Sequence, residues 1–180
     1  MITTLLFVLV GLSAVLFLGR AVHGRTEPIS SVAEATARMK QIDLPAFTNL
    51  IDPAQREYLR SRLSRHDFAY LERMRNRVCL EYVKRIADNA TVLLSWGRSA
   101  LLSPELAAYK DEAREIVDAA MTVRLTALYA IAQLYLGVVM PSLELQVGSL
   151  LTKYQYAASR MTTIGVLTHS SEAGAYSRTA

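Results

Sequence analysis

Three histidines, one cysteine and a run of arginines are the side chains of this 180-residue chain with most chemistry to offer. His23, His66 and His169 stand far apart. None lies three or four residues from another histidine or from a glutamate on the same helical face. The HExxH and ExxH spacings that set two metal ligands side by side are absent, so no metal site is expected. Cys79 follows Val78 beside an apolar stripe. A lone thiol there reads as a small buried core residue, because a reactive thiolate needs a cationic, partly open setting that lowers its pKa.

No glycine-rich phosphate loop, dinucleotide fingerprint or GxSxG elbow occurs, and no cofactor is expected. Glu72, Glu81, Asp88, Asp111, Glu112, Glu115 and Asp118 fall mostly off the apolar stripes and read as solvated faces or helical ion pairs. Trp96, Tyr82, Tyr109, Tyr129 and Tyr135 read as core or core-edge aromatics. With no polar set converging on one motif, the chain leans away from an enzyme.

The one cluster above background is basic. Arg56, Arg60, Arg62, Arg65, Arg73, Arg75, Arg77, Lys84 and Arg85 fall within 30 residues, against Glu57, Asp67, Glu72 and Glu81. The plain reading is an ordinary solvated helix surface. The sharper one assigns Arg56, Arg60, Arg62, Arg65, Arg73, Arg77 and Lys84 to anionic lipid headgroups, each worth about 1 kcal/mol near a charged leaflet. Nucleic acid is the weakest partner for them, since no recognition motif accompanies the run and acids interrupt it.

A lipid surface is a natural candidate because of the start of the chain. Residues 2–18 are uncharged and apolar, and Arg20, His23 and Arg25 follow. As a helix they reach about 26 Å, enough for one pass through a bilayer. A cleaved signal peptide is the competing reading, but no Lys or Arg precedes the apolar core. The basic flank lies on the C-terminal side, so the positive-inside rule expects the N-terminus outside and the body in the cytoplasm. Cys79, the only cysteine, fits a compartment that forms no disulfides. Residues 20–103 carry 14 Lys/Arg against 9 Asp/Glu, and residues 104–180 carry 6 against 7.

The elements that must position these groups are helices. Ser31 and Glu34 have capping-box spacing, which predicts a short helix over about 32–42, with Pro45 as a breaker. Phe47, Leu50 and Ile51 form a small apolar cluster that should dock. Asp52-Pro53 starts a second short helix, and Ser64 with Asp67 starts a long one. Leu71, Met74, Val78, Tyr82, Ile86, Ala90, Leu93, Gly97 and Ala100 then mark one stripe up to about Leu102. Such a helix is long enough to project from a bundle or kink near Ser95–Gly97. Ser103-Pro104 turns the chain into a helix over about 104–140, and a third long helix follows over 145–164, with Gly165 as its cap.

Leu125–Leu143 contains no charged residue. It reads as a central helix packed on two sides, with a second span or an interfacial helix as the alternative. The fold class is therefore all-α: a single N-terminal transmembrane helix followed by a bundle built on a long antiparallel hairpin plus a third helix. The domains are an anchor at 1–19, a juxtamembrane linker with a short helix at 20–51, a bundle at 52–167 and a disordered tail at 168–180. The expected role is a membrane-anchored, non-enzymatic interaction module at the inner membrane face, an accessory subunit or scaffold. Its partners would be the membrane through its anchor and a protein or a second copy of itself. The alternative is a protein that engages anionic lipid or acyl chains.

Overall fold

A computed structural model describes residues 28–139 and 148–176, with side chains for 28–138 and 148–166. The apolar segment at 1–19 lies outside the described residues. Within them every regular element is helical: α1 (Val32–Arg38), α2 (Leu44–Ile51), α3 (Pro53–Arg62), α4 (Arg65–Leu102), α5 (Lys110–Val139) and α6 (Gly148–Tyr176), with a 3-10 turn at Ala107–Tyr109.

Local chemistry sets most of the boundaries. The Ser31 hydroxyl accepts from the Glu34 amide at 3.1 Å, while the Glu34 carboxylate reaches back to the amide and hydroxyl of Ser30. Asp52 caps α3 by accepting from the Ala54 amide at 2.9 Å, and Ser64 caps α4 through the Asp67 amide. Pro45 does not leave an open linker behind it. It sits in the first turn of α2, where a missing N–H costs nothing, and Asp43 caps that helix through the Ala46 amide. At Ser103-Pro104 the chain does not re-enter an α-helix at once. The Ala107 and Tyr109 amides bond three residues back, so a tight turn precedes α5.

α4, α5 and α6 run up, down and up. Gly97 of α4 meets Ala113, Ile116 and Val117 of α5, and a Cβ at Gly97 would stand 2.9 Å from a Val117 methyl. Lys153 of α6 reaches Thr126, and Arg160 reaches Glu115, which fixes α6 antiparallel to α5. The three short helices make a fourth column running down α4. As the chain advances through Lys40, Gln41, Phe47, Leu50 and Arg56, its partners on α4 recede through Asn89, Arg85, Tyr82, Arg75 and Glu72. α4 has buried residues from Glu72 to Ala100, with its first two turns largely open, and stays one helix through Ser95–Gly97.

The core follows the apolar periodicity closely on two helices. Ala113, Ile116, Ala120, Val123, Ala127 and Leu134 of α5 are buried, as are Leu150, Leu151, Tyr154, Ala157 and Met161 of α6. The first half of α4 departs from it. Met74 and Val78 face out, and Glu72, Asn76 and Cys79 face in. Tyr129 and Tyr135 also depart: at 62% and 54% exposure they lie on the surface, not in the core. Gly165 is not a cap. The helix runs through it to Tyr176, into the stretch expected as a tail, and Gly165 is buried where α6 meets Val32 of α1.

Candidate functional site

The elbow between α3 and α4 gathers the strongest charge. Arg56 and Arg60 come from α3, Leu63 from the turn, and Arg65, Phe68 and Arg73 from α4. Together with Ala69 they line an open groove of about 420 Å³, with arginines around an apolar floor. The local sequence produces this directly. Leu63 ends α3 and Ser64 starts α4 one residue later, so the two arginine-bearing helices meet at a tight bend. Arg65 and Arg73 have no carboxylate partner among the described residues, and Arg60 stands 3.9 Å from Glu57.

The seven basic residues singled out by sequence do not act as one patch. Arg56, Arg60, Arg65 and Arg73 share the groove. Arg62 instead lies over the Tyr58 ring at 5.7 Å. Arg77 lines a separate shallow depression with Val78, Glu81 and Arg85. Lys84 donates to Glu81 at 2.9 Å, and that hydrogen bond holds its ammonium pKa above the usual lysine value.

Behind the groove lies a polar knot that periodicity did not reveal. Glu72, expected on a solvated face, is 4% exposed. It accepts from Arg56 at 3.0 Å and from Arg75 at 2.9 Å, and Arg75 also donates to the Leu50 carbonyl at the end of α2. Arg56 stacks on Phe68 as well, so one guanidinium joins the knot to the groove. Next to it Asn76, Cys79 and Leu134 line a cavity of about 60 Å³. The Asn76 amide nitrogen has no protein partner there, and the cavity is large enough for a water to accept from it. The i,i+3 spacing of Glu72 and Arg75 was the only trace of this arrangement in the sequence.

The chemistry of the knot is cohesive. Two guanidiniums hold Glu72, the one buried carboxylate among the described residues. Burial pushes the Cys79 thiol up to about 11, so it stays protonated at neutral pH and is a poor nucleophile. Two further polar ties join helices. Asn89, fully buried, bonds both Lys40 and the Tyr154 hydroxyl. Glu115 accepts from Arg160 and from Tyr156, and these bonds hold its carboxyl below the usual glutamate range. Among the described residues no three His, Cys, Asp or Glu side chains converge to hold a metal.

No family model, no curated protein and no solved structure matches this chain. The functional reading therefore rests on its own geometry and charge.

Proposed function

We propose that this protein is a membrane-anchored helical interaction module without catalytic chemistry, an accessory subunit or scaffold whose arginine groove receives an acidic partner. One observation carries the reading: the buried Glu72 and Asn89 are engaged in joining helices, while Arg60, Arg65 and Arg73 face outward around an apolar floor. Residues 2–18 would supply the anchor, with the N-terminus outside and the bundle in the cytoplasm.

The position of the groove favours a protein partner over headgroups for these arginines. The chain enters the bundle where Val32 touches Gly165, and it reaches the level of Asn89 by Lys40. At 1.5 Å per residue along α4, the groove lies on the order of 40 Å further down the bundle. A linker over 19–27 extends to about 30 Å at most. The groove is therefore held at the end far from the anchor, where a soluble acidic surface can reach it.

The test is photo-crosslinking in membranes from a probe in place of Ala69 in the full chain. The expected result is a discrete protein adduct that disappears when Arg60, Arg65 and Arg73 are changed to Glu. Adducts to phospholipid alone would reject the reading. Alkaline extraction tests the anchor separately, since a spanning helix stays with the bilayer.

A further inference from the structure

α5 has a face that the bundle leaves open. Leu125, Tyr129, Ala132 and Leu136 follow one another at four- and three-residue steps opposite the buried row. Leu125, Tyr129 and Leu136 are 46%, 62% and 54% exposed. A helix used only as a soluble core would not leave this row bare. Ala107–Val138 is long and apolar enough to cross a membrane by length and composition, yet only 28% of its apolar window is buried within the protein.

Cations border this row along both edges. On the α4 side, Arg77, Lys84 and Arg98 stand seven and then fourteen residues apart and so share one face of α4. Lys84 lies within electrostatic reach of Tyr135, and Arg98 within reach of Arg124. Arg77 and Arg98 make no ion pair with a described carboxylate, and the buried Nη1 of Arg124 has no hydrogen-bond partner. On the α6 side, Lys153 reaches across to Thr126 at 3.2 Å. The nearest acid on the open face, Asp118, stands two turns before Leu125.

We propose that the outer face of α5 lies on an anionic membrane surface, with Leu125, Tyr129 and Leu136 in the headgroup boundary and Arg98, Arg124, Lys84 and Lys153 contacting phosphates along its edges. An apolar row bordered by long cations is the pattern of a helix that lies in the interface plane. Tyrosines suit that depth, and the long basic stems reach from it to the headgroups. A second copy is the poorer occupant. Two such faces laid together would bring Arg77, Arg98 and Arg124, none of them paired with a described carboxylate, against their own copies. The inference deepens the anchored reading, because a tether holds the bundle within reach of the leaflet. With α5 against the leaflet the bundle lies along the membrane, and the arginine groove stays off it because α1, α2 and α3 pack on α4 and meet α6 at Gly165, on the side away from the outer face of α5.

The experiment uses the full chain with Cys79→Ser, carrying an environment-sensitive fluorophore on Tyr129→Cys, Leu136→Cys or, as a control on α3, Tyr58→Cys. Vesicles contain phosphatidylcholine and phosphatidylglycerol in equal parts, or phosphatidylcholine alone. With the anionic vesicles, probes at 129 and 136 should shift to the blue and lose most of their emission to spin-labelled acyl chains. The probe at 58 should stay open to aqueous iodide. Probes at 129 and 136 as open to iodide as the one at 58 would overturn the proposal, and so would dimer crosslinks through 129.

A photoactivatable phospholipid added to the unmodified chain gives a second readout that needs no substitution. Adducts should map to residues 121–136, and adducts confined to residues 1–19 would count against the proposal. Release of the chain by an alkaline wash would sink the anchor alone, since quenching before the wash still decides the α5 face.

Discussion

Asn89 grips Lys40 by its backbone, accepting from the Lys40 N–H at 2.7 Å and donating to the Lys40 carbonyl at 2.8 Å. One amide thus satisfies both polar groups of a residue outside any helix, and it donates again to the Tyr154 hydroxyl. Asn89→Leu keeps the volume and removes all three bonds. We expect a loss of about 3 kcal/mol, because partly buried backbone groups are left unpaired. Chemical denaturation reads the loss directly. Asn89→Asp should be nearly as harmful, since it keeps the acceptor and loses the donors.

Glu72 should be the most sensitive acid in the chain. Glu72→Ala takes away the carboxylate that Arg56 and Arg75 share, and their side chains are only 18% and 12% exposed. A cost of about 3–5 kcal/mol is expected for uncompensated buried charge. Arg60→Ala and Arg65→Ala, on the open rim, should stay within about 0.5 kcal/mol of the parent. Thermal melts of the three variants provide the comparison, and equal losses would refute the distinction between knot and rim.

Gly97→Ala tests the approach of α4 to α5. The added methyl would meet Val117 at 2.9 Å, and overpacking of this kind costs about 1–3 kcal/mol. Gly165→Ala, facing a Val32 methyl at 3.0 Å, should cost less, because α1 is short and can shift. The order of the two midpoints in urea checks this.

Acid should weaken the α5–α6 contact through Glu115. Its carboxyl is held below the ordinary value of 4.5, first by the bond from Arg160 and then by that from Tyr156. A lowered folded pKa contributes stability that is present above the unfolded value and lost as pH falls through the folded one. The stability gap between the parent and Glu115→Gln should therefore be open at neutral pH and narrow as pH falls below the ordinary value of 4.5. Paired denaturation curves at the two pH values measure it.

Cys79 should resist thiol reagents in the folded protein at pH 8, since burial holds its pKa near 11. Denaturant should release the reaction. A rate rising with denaturant in step with loss of helix signal would match, and fast labelling of the native protein would not.

The long helices were legible because one apolar face repeats over many turns in each. On α5 and α6 the apolar residues at three- and four-residue steps, such as Ala113, Ile116, Ala120 and Val123 or Leu150, Tyr154, Ala157 and Met161, are the buried rows. The start of α4 was not legible, because what buries Glu72 is an arginine 16 residues earlier and a carbonyl at the end of α2. Neither leaves a periodic trace. Pro45 and Gly165 misled for a shared reason. Each is a conventional end signal whose meaning depends on what packs beside it, and here Pro45 opens a helix while Gly165 lets α1 approach. Of the basic residues, the sequence located the run but not its division among three surfaces, which the α3–α4 bend decides.

The fourth column also gives the bundle a mechanical polarity. Because α1, α2 and α3 descend α4 from the end where the chain enters, a pull on residue 28 peels the column one clasp at a time. The Asn89–Lys40 clasp bears the load first, and the Glu72 knot holds last. Such a pull would free the first helix while the rest of the fold stays shut.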